Sequence, residues 1–188
     1  MVRLQKTYDV EIDWRPFELR PDTPRGGREL SEIFPPERLP AMREHMRRFS
    51  ASFGIDPPLE QVSHLPNTRR ALAIAEHARD EGKLDAFRNA AMHAHWRAQE
   101  DLEKDEVLRR CAEKAGLDPD KALTAADDPV FQRRVDDHTR EGQRKGVTGI
   151  PSFFIGPYFV VGCQPYEVLE AAVLRAGGKP RAAPGGND

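Results

Sequence analysis

Two hydrophobic periods divide this chain. From Tyr8 to Trp14, apolar and acidic residues alternate: Tyr8, Val10, Ile12 and Trp14 against Asp9, Glu11 and Asp13. A period of two predicts a strand with one covered face. Arg15-Pro16 ends it. Residues 20–36 hold Pro21, Pro24, Pro35 and Pro36 and a Gly26-Gly27 pair, and read as a loop. The period then changes to three or four. Leu39, Met42, Met46, Phe49 and Phe53 predict one helix face, with Gly54 at its end. Asn67 is a natural N-cap for the next helix and Gly82 its stop. Leu84 and Phe87 open a third, which runs through Met92 towards Trp96. Val107, Leu108, Cys111, Ala112 and Ala115 form a fourth stripe, closed by Gly116. Asp118-Pro119 and Asp128-Pro129 each start a further helix, a cap followed by proline in the first turn. Phe131 and Val135 supply the buried face of the second.

The stretch Gly146-Val147-Thr148-Gly149-Ile150-Pro151-Ser152-Phe153-Phe154-Ile155 returns the chain to strands. It reads as a glycine-flanked turn, a proline and a short buried strand. Pro151 lacks an N–H, so it opens a strand and does not sit inside one. Its preceding peptide bond is of the one kind in which the cis form is cheap. Gly146 and Gly149 give the backbone the freedom that a tight approach to a ligand requires. A Gly156-Pro157 turn and a second apolar run, Tyr158 to Val161, complete a hairpin. Pro165 opens the last helix, with Val168, Leu169, Ala172, Val173 and Ala176 on its apolar side and Gly177-Gly178 at its end. Residues 179–188 are rich in proline, glycine and small residues and predict a disordered tail.

The stretch from Gly146, followed by Tyr-Phe-Val-Val-Gly-Cys-Gln-Pro-Tyr-Glu-Val from Tyr158, resembles the C-terminal half of a DsbA-like thioredoxin-fold oxidoreductase, and is most similar to the FrnE-like branch. Trp14-Arg15-Pro16-Phe17-Glu18-Leu19-Arg20-Pro21-Asp22, Asn67-Thr68-Arg69-Arg70 and Ala115-Gly116-Leu117-Asp118 agree with it in order and spacing. The resemblance covers residues 4–178. It implies an α/β fold, a thioredoxin-like core interrupted by a large α-helical insertion. Residues 1–35 are then the N-terminal part of the core and 36–144 the insertion. Residues 145–178 form the C-terminal part of the core, and 179–188 the tail.

The same resemblance implies a strand and a Cys-x-x-Cys ahead of Met1, with Met1 to Thr7 as the end of the family's first helix. In such a motif the helix N-terminus and the neighbouring thiol lower the pKa of the first cysteine. This chain has two cysteines, Cys111 and Cys163, and no Cys-x-x-Cys. The expectation is an N-terminally incomplete sequence whose first core strand is missing. That strand would lie between the one near Val10 and the one near Phe154, and each buried orphan group in its place costs about 1–3 kcal/mol. An unpaired strand edge also favours self-association, either as a homodimer or by aggregation.

Composition narrows the function classes. The 188 residues are 38% hydrophobic and 32% charged, with a formal net charge of −2. Both signs are interspersed, so neither nucleic acid nor a membrane surface is an expected partner. The pairs Arg47-Arg48, Arg69-Arg70, Arg109-Arg110 and Arg133-Arg134 read as solvated helix faces. No run reaches the roughly 20 apolar residues of a membrane span, and no signal peptide is visible; the expected location is the cytoplasm.

As the resemblance implies it, Thr148, Ile150 and Pro151 are the substrate-binding residues, a proline loop that pairs with substrate backbone as an added strand. The plain alternative is a strand-entry turn. No residue is assigned a catalytic role. Cys163 and Cys111 read as small buried thiols. His93 and His95, two apart on a helix, point to nearly opposite faces, which disfavours a shared metal. Arg15 has the chemistry to pair with an acidic group that the sequence does not identify.

Three readings follow. The first is thiol–disulfide oxidoreductase as the family function, with a protein or small-molecule thiol or disulfide as substrate and the dithiol absent from this chain. The second is a glutathione-dependent enzyme resembling 2-hydroxychromene-2-carboxylate isomerases and kappa-class glutathione transferases, with glutathione as its cofactor. The third is a non-catalytic thioredoxin-like peptide binder.

Overall fold

The computed structural model describes residues 1–51 and 63–181. In chain order its elements are α1 (Val2–Thr7), β1 (Arg28–Glu29), α2 (Leu30–Ile33), a 3-10 turn (Pro36–Arg38), α3 (Leu39–Ala51), β2 (His64–Leu65), α4 (Arg69–Asp80), α5 (Leu84–Trp96), α6 (Asp105–Lys114), α7 (Pro119–Asp127), α8 (Pro129–Arg144), β3 (Ser152–Ile155), β4 (Tyr158–Val161) and α9 (Tyr166–Arg175). The expected Phe53 and Gly54 positions lie outside the described residues. The chain divides into two compact units, residues 16–139 and residues 1–15 with 140–188. Among the described residues no helix is long and apolar enough to cross a membrane.

The helical unit is built around α4, α5, α6 and α7. Their facing positions are mostly alanine: Ala71, Ala78, Ala91, Ala94, Ala112 and Ala122 are all buried. Small side chains let helix axes approach closely, and Phe87, Ile74 and Leu108 fill the space that remains. The predicted stops and starts are present. Asp118 accepts hydrogen bonds from the N–H groups of Asp120 and Lys121 at the start of α7, and those backbone donors hold its carboxyl below the usual range. Asn67 acts one residue earlier than a regular cap. Its Oδ1 accepts from Arg69 N–H (2.9 Å), and α4 begins at Arg69.

Two expectations are corrected in this unit. Arg69 and Arg70 are not a solvated pair. Arg69 donates to Glu18 and Asp136 (2.6 Å each), and Arg70 to Asp105 (2.6 Å) and Asp127 (2.9 Å). Arg69 holds the carboxylate of Glu18, which is 8% exposed; Glu18 N–H in turn donates to Thr139 Oγ1 (3.1 Å). These bonds tie the segment after Pro16 to the helices. The apolar stripe of α3 is the second correction: no residue of α3 is buried, and Met46 and Phe49 are exposed.

The other unit packs α1, the β3–β4 hairpin and α9 around Leu4, Tyr8, Leu169 and Val173, with Phe153, Ile155 and Val160 against them. Tyr8 Oη donates to Glu170 Oε1 (2.9 Å), and the Arg3 guanidinium lies 3.7 Å from the Tyr166 ring centre. Val168 and Ala176 are exposed, not on the buried side of α9, which consists of Leu169, Ala172 and Val173. The disordered tail is corrected over its first residues: Asp9 N–H donates to Lys179 O (2.8 Å) and Arg181 N–H to Thr7 O (2.9 Å). Residues 182–188 lie outside the described residues.

The strand predicted from Tyr8 to Trp14 is only half realised. Burial alternates as expected, with Val10, Ile12 and Trp14 half-buried and Asp9, Glu11 and Asp13 exposed. Yet only Tyr8 makes a bridge, to Pro180, and the segment joins no sheet among the described residues. Alternation sets which side chains are covered; a strand also needs a neighbour to bond.

Phe87 is 1% exposed at the centre of the helical core. Phe87→Ala should lower stability by about 3–5 kcal/mol, the usual result of opening a cavity in a closed core. Urea unfolding followed by circular dichroism checks this; a loss below about 1 kcal/mol would show that the core collapses around the void.

Candidate functional site

The proline loop starts from a fixed point. At the end of α8, Gly146 takes φ +84°, Val147 N–H donates to Gly142 O (2.9 Å) and Gly146 N–H to Gln143 O (3.0 Å). That is a Schellman stop, with the apolar side chain after the glycine buried at Val147. Gly146 is therefore needed for its own conformation. Gly149 is not. Its φ is not positive, and an added Cβ would meet only Val161 Cγ1 at 3.9 Å, an ordinary contact. The expected need for freedom at both glycines is corrected for the second.

Thr148 and Ile150 then turn outward. Thr148 is exposed and Ile150 is 54% exposed, and the Ile150–Pro151 peptide is cis. No backbone hydrogen bond joins Thr148 or Ile150 to another described residue. Ser152 Oγ donates to Gly149 O (2.7 Å), which fastens the loop across its own turn. Thr148, Ile150 and Pro151 thus sit together on one short segment between a helix stop and a hairpin, with Thr148 and Ile150 exposed and Pro151 O accepting from Gly162 N–H (2.7 Å).

The hairpin that follows is not the fully buried strand expected. Phe153, Ile155 and Val160 pack inward, while Phe154 (49%), Phe159 (41%) and Val161 (40%) are exposed. Phe154 and Phe159 are cross-strand partners, stacked with ring centres 4.8 Å apart. Lys145 Nζ lies 5.4 Å from the Phe154 ring centre and also bonds Glu141. The acidic partners of Arg15 are Asp13 and Glu141, both at 2.8 Å. Sequence reasoning missed these charges because Glu141 is 126 residues from Arg15, and it missed the exposed apolar face because an unbroken apolar run looks the same whether one or both of its faces are covered.

The other candidates separate cleanly. Cys111 is buried at 2% exposure, and burial pushes its thiol pKa up, which makes it inert. Cys163 is exposed, which corrects the expected buried thiol: Gly162, with φ +81°, turns the chain out of β4 just before it. Both thiols are free. His93 is exposed. His95 is half-buried against Trp96, ring centres 4.7 Å apart, and burial lowers its pKa. A shallow hollow of about 630 Å³ beside Arg70 and Arg109 is lined by charges that already pair with one another.

The loop and hairpin offer exposed backbone beside an apolar face, with one accessible sulfur in the same unit. That suits recognition of an extended chain. Disulfide turnover needs a second sulfur, and the sequence holds no Cys-x-x-Cys.

Comparison with known proteins shows the family. The model of the DSBA-like thioredoxin domain matches residues 1–174, so the chain belongs to the DsbA-like thioredoxin family. The uncharacterized protein YwbO of Bacillus subtilis (strain 168) is 25% identical over 171 residues, covering 89% of this chain and 83% of that protein. A 2-hydroxychromene-2-carboxylate isomerase of Sphingobium xenophagum is 30% identical over 166 residues, covering 87% and 83%. The crystal structure of a probable DsbA oxidoreductase from Streptomyces coelicolor superposes with a TM-score of 0.76 at 24% identity, covering 89% of this chain and 76% of that one, a likeness of fold.

The contrast between the two glycines is testable. Gly146→Ala should cost about 1–2 kcal/mol, the penalty of a Cβ in the left-handed region. Gly149→Ala should change stability by less than about 0.5 kcal/mol. Thermal unfolding of both variants decides; equal losses would contradict the assignment of the helix stop to Gly146.

Proposed function

From membership of the DsbA-like thioredoxin family, we propose that this chain carries the substrate-recognition half of a thiol–disulfide oxidoreductase. The observation that supports the reading is the exposed, unbonded backbone of Thr148 and Ile150 beside Pro151. An extended segment of a cysteine-containing substrate lays its own N–H and C=O groups against that edge as an added strand. Ile150 gives it an apolar contact. The exposed Cys163 thiol forms at most a mixed disulfide, because closing an intramolecular disulfide and releasing the reduced product needs a resolving thiol near it.

A second reading has a specific support, the 30% identity to a 2-hydroxychromene-2-carboxylate isomerase. In that case the same loop holds the peptide backbone of glutathione, and glutathione supplies the sulfur that the chain does not.

These readings predict different outcomes. The 188-residue chain should not reduce insulin disulfides with dithiothreitol above background; turnover that persists in Cys163→Ser would sink the account of a missing dithiol. An unfolded cysteine-containing peptide should bind, and Ile150→Pro, which removes an exposed N–H, should weaken it about fivefold or more. Saturable glutathione binding by calorimetry, lost in the same variant, would move the assignment to the second reading.

A further inference from the structure

Strand β4 has an edge that its hairpin does not use. Gly162 N–H donates to Pro151 O (2.7 Å), and the register sets Val161 opposite Ser152, Val160 opposite Phe153, Phe159 opposite Phe154 and Tyr158 opposite Ile155. Hydrogen-bonded and non-hydrogen-bonded pairs alternate along an antiparallel ladder. Gly162 bonds Pro151, so Val160 bonds Phe153 and Tyr158 bonds Ile155. Phe159 and Val161 therefore direct their N–H and C=O groups away from β3. The Phe154 and Phe159 rings, with centres 4.8 Å apart, suit a non-hydrogen-bonded pair. Val161 O accepts from Gln164 Nε2 (2.8 Å). Val161 N–H and both main-chain groups of Phe159 have no partner among the described residues.

This edge carries none of the usual protections. Native proteins blunt a free edge with lysine, proline or a bulge. Strand β4 reads Tyr158-Phe159-Val160-Val161, with no charge, no proline and an unbroken register. The side chains at its two outward positions, Phe159 and Val161, are 41% and 40% exposed. They lie on the same face of the hairpin as Phe154, which is also exposed.

We propose that β4 pairs antiparallel with β4 of a second copy of this chain, so that two hairpins form one continuous sheet. Three observations favour a second copy as the occupant. Two-fold pairing sets identical strands against each other, and a charged strand would then meet its own charge; β4 has none to oppose. The two outward positions also fix a symmetric register, with Phe159 opposite Val161 of the second copy and Val160 opposite Val160 on the axis. In that register each Phe159 exchanges both main-chain bonds with a Val161, and Pro157, which has no N–H, stays outside the ladder. Finally, the register sets an aromatic ring beside a β-branched side chain twice, a favourable cross-strand pair. Val161 O keeps its bond from Gln164, because a carbonyl oxygen has two lone pairs. The contact is small. Two strands of this length bury less than the roughly 1,200 Å² at which stable interfaces begin, so the association is weak and depends on concentration.

Sedimentation of the 188-residue chain from about 10 µM to about 1 mM tests this. Dithiothreitol is present throughout, which excludes a disulfide through the exposed Cys163. A dimer should build up across the range. Amide exchange should show Phe159 and Val161 protected about fivefold or more at the high concentration, with Tyr158 and Val160 unchanged because β3 already protects them. Val161→Lys should weaken the association about tenfold or more, by setting a lysine on each side of the axis. Val161→Pro should do the same while the hairpin keeps its own bonds, since the N–H it removes points outward. Ile150→Pro should leave the association unchanged, which separates this test from that of the proline loop. A chain that stays monomeric to about 1 mM would overturn the proposal. So would a dimer that survives both Val161 variants. Protection of Ser152 and Phe154 in place of Phe159 and Val161 would overturn it in favour of the edge of β3.

Discussion

A β-strand has two edges, and each amide and carbonyl on an edge must find a partner in protein or in water. In the unit that holds the proline loop, β4 satisfies one edge of β3, and no other described strand pairs with it. Much of this unit follows from that asymmetry. The segment from Val10 keeps the side-chain alternation of a strand but bonds as one only at Tyr8, where Pro180 lies beside it. Val10 of this segment packs with Leu4 of α1, Leu169 and Val173 of α9, and Phe153, Ile155 and Val160 of the hairpin.

The helical unit meets a different constraint. Its core is closed by helices whose backbone groups are satisfied internally, so stability there depends on shape: alanines that let α4, α5, α6 and α7 approach, and Phe87, Ile74 and Leu108 that fill what is left. Charge is used to attach irregular chain to this frame. Buried Glu18 is accepted because Arg69 supplies a guanidinium at 2.6 Å. Burial raises the Glu18 pKa and Arg69 opposes that shift. Removing Arg69 would leave a carboxylate desolvated and unpaired, a larger penalty than the ion pair's own net worth.

The helices were legible in the sequence because their signals are local. A cap, a proline in the first turn and a terminal glycine act within four residues, and Asp118, Gly82 and Gly116 stand where such signals are read. The proline loop was legible for the same reason. What was not legible depends on residues distant in sequence. Arg69 and Arg70 look like any surface arginine pair until Glu18 and Asp127 are brought to them. Cys163 looks like a core thiol until Gly162 turns it outward. Phe154 and Phe159 look buried because a run of apolar residues does not say how many of its faces are covered. Periodicity reports what the strand from Val10 is suited to cover, and only the fold reports whether a neighbour is there.

On the reading proposed above, selecting an extended chain and exchanging a disulfide call for different atoms. The groups suited to the first are main-chain groups and an apolar face: the backbone of Thr148 and Ile150 and the stacked Phe154–Phe159 pair. None of these needs a sulfur. Disulfide chemistry needs a thiolate that attacks and a second that resolves. Cys111 is withdrawn by burial, and Cys163 stands alone at the end of β4. On the proposed reading, sulfur chemistry at Cys163 beyond a mixed disulfide draws on a further thiol, such as a second substrate cysteine or a small thiol.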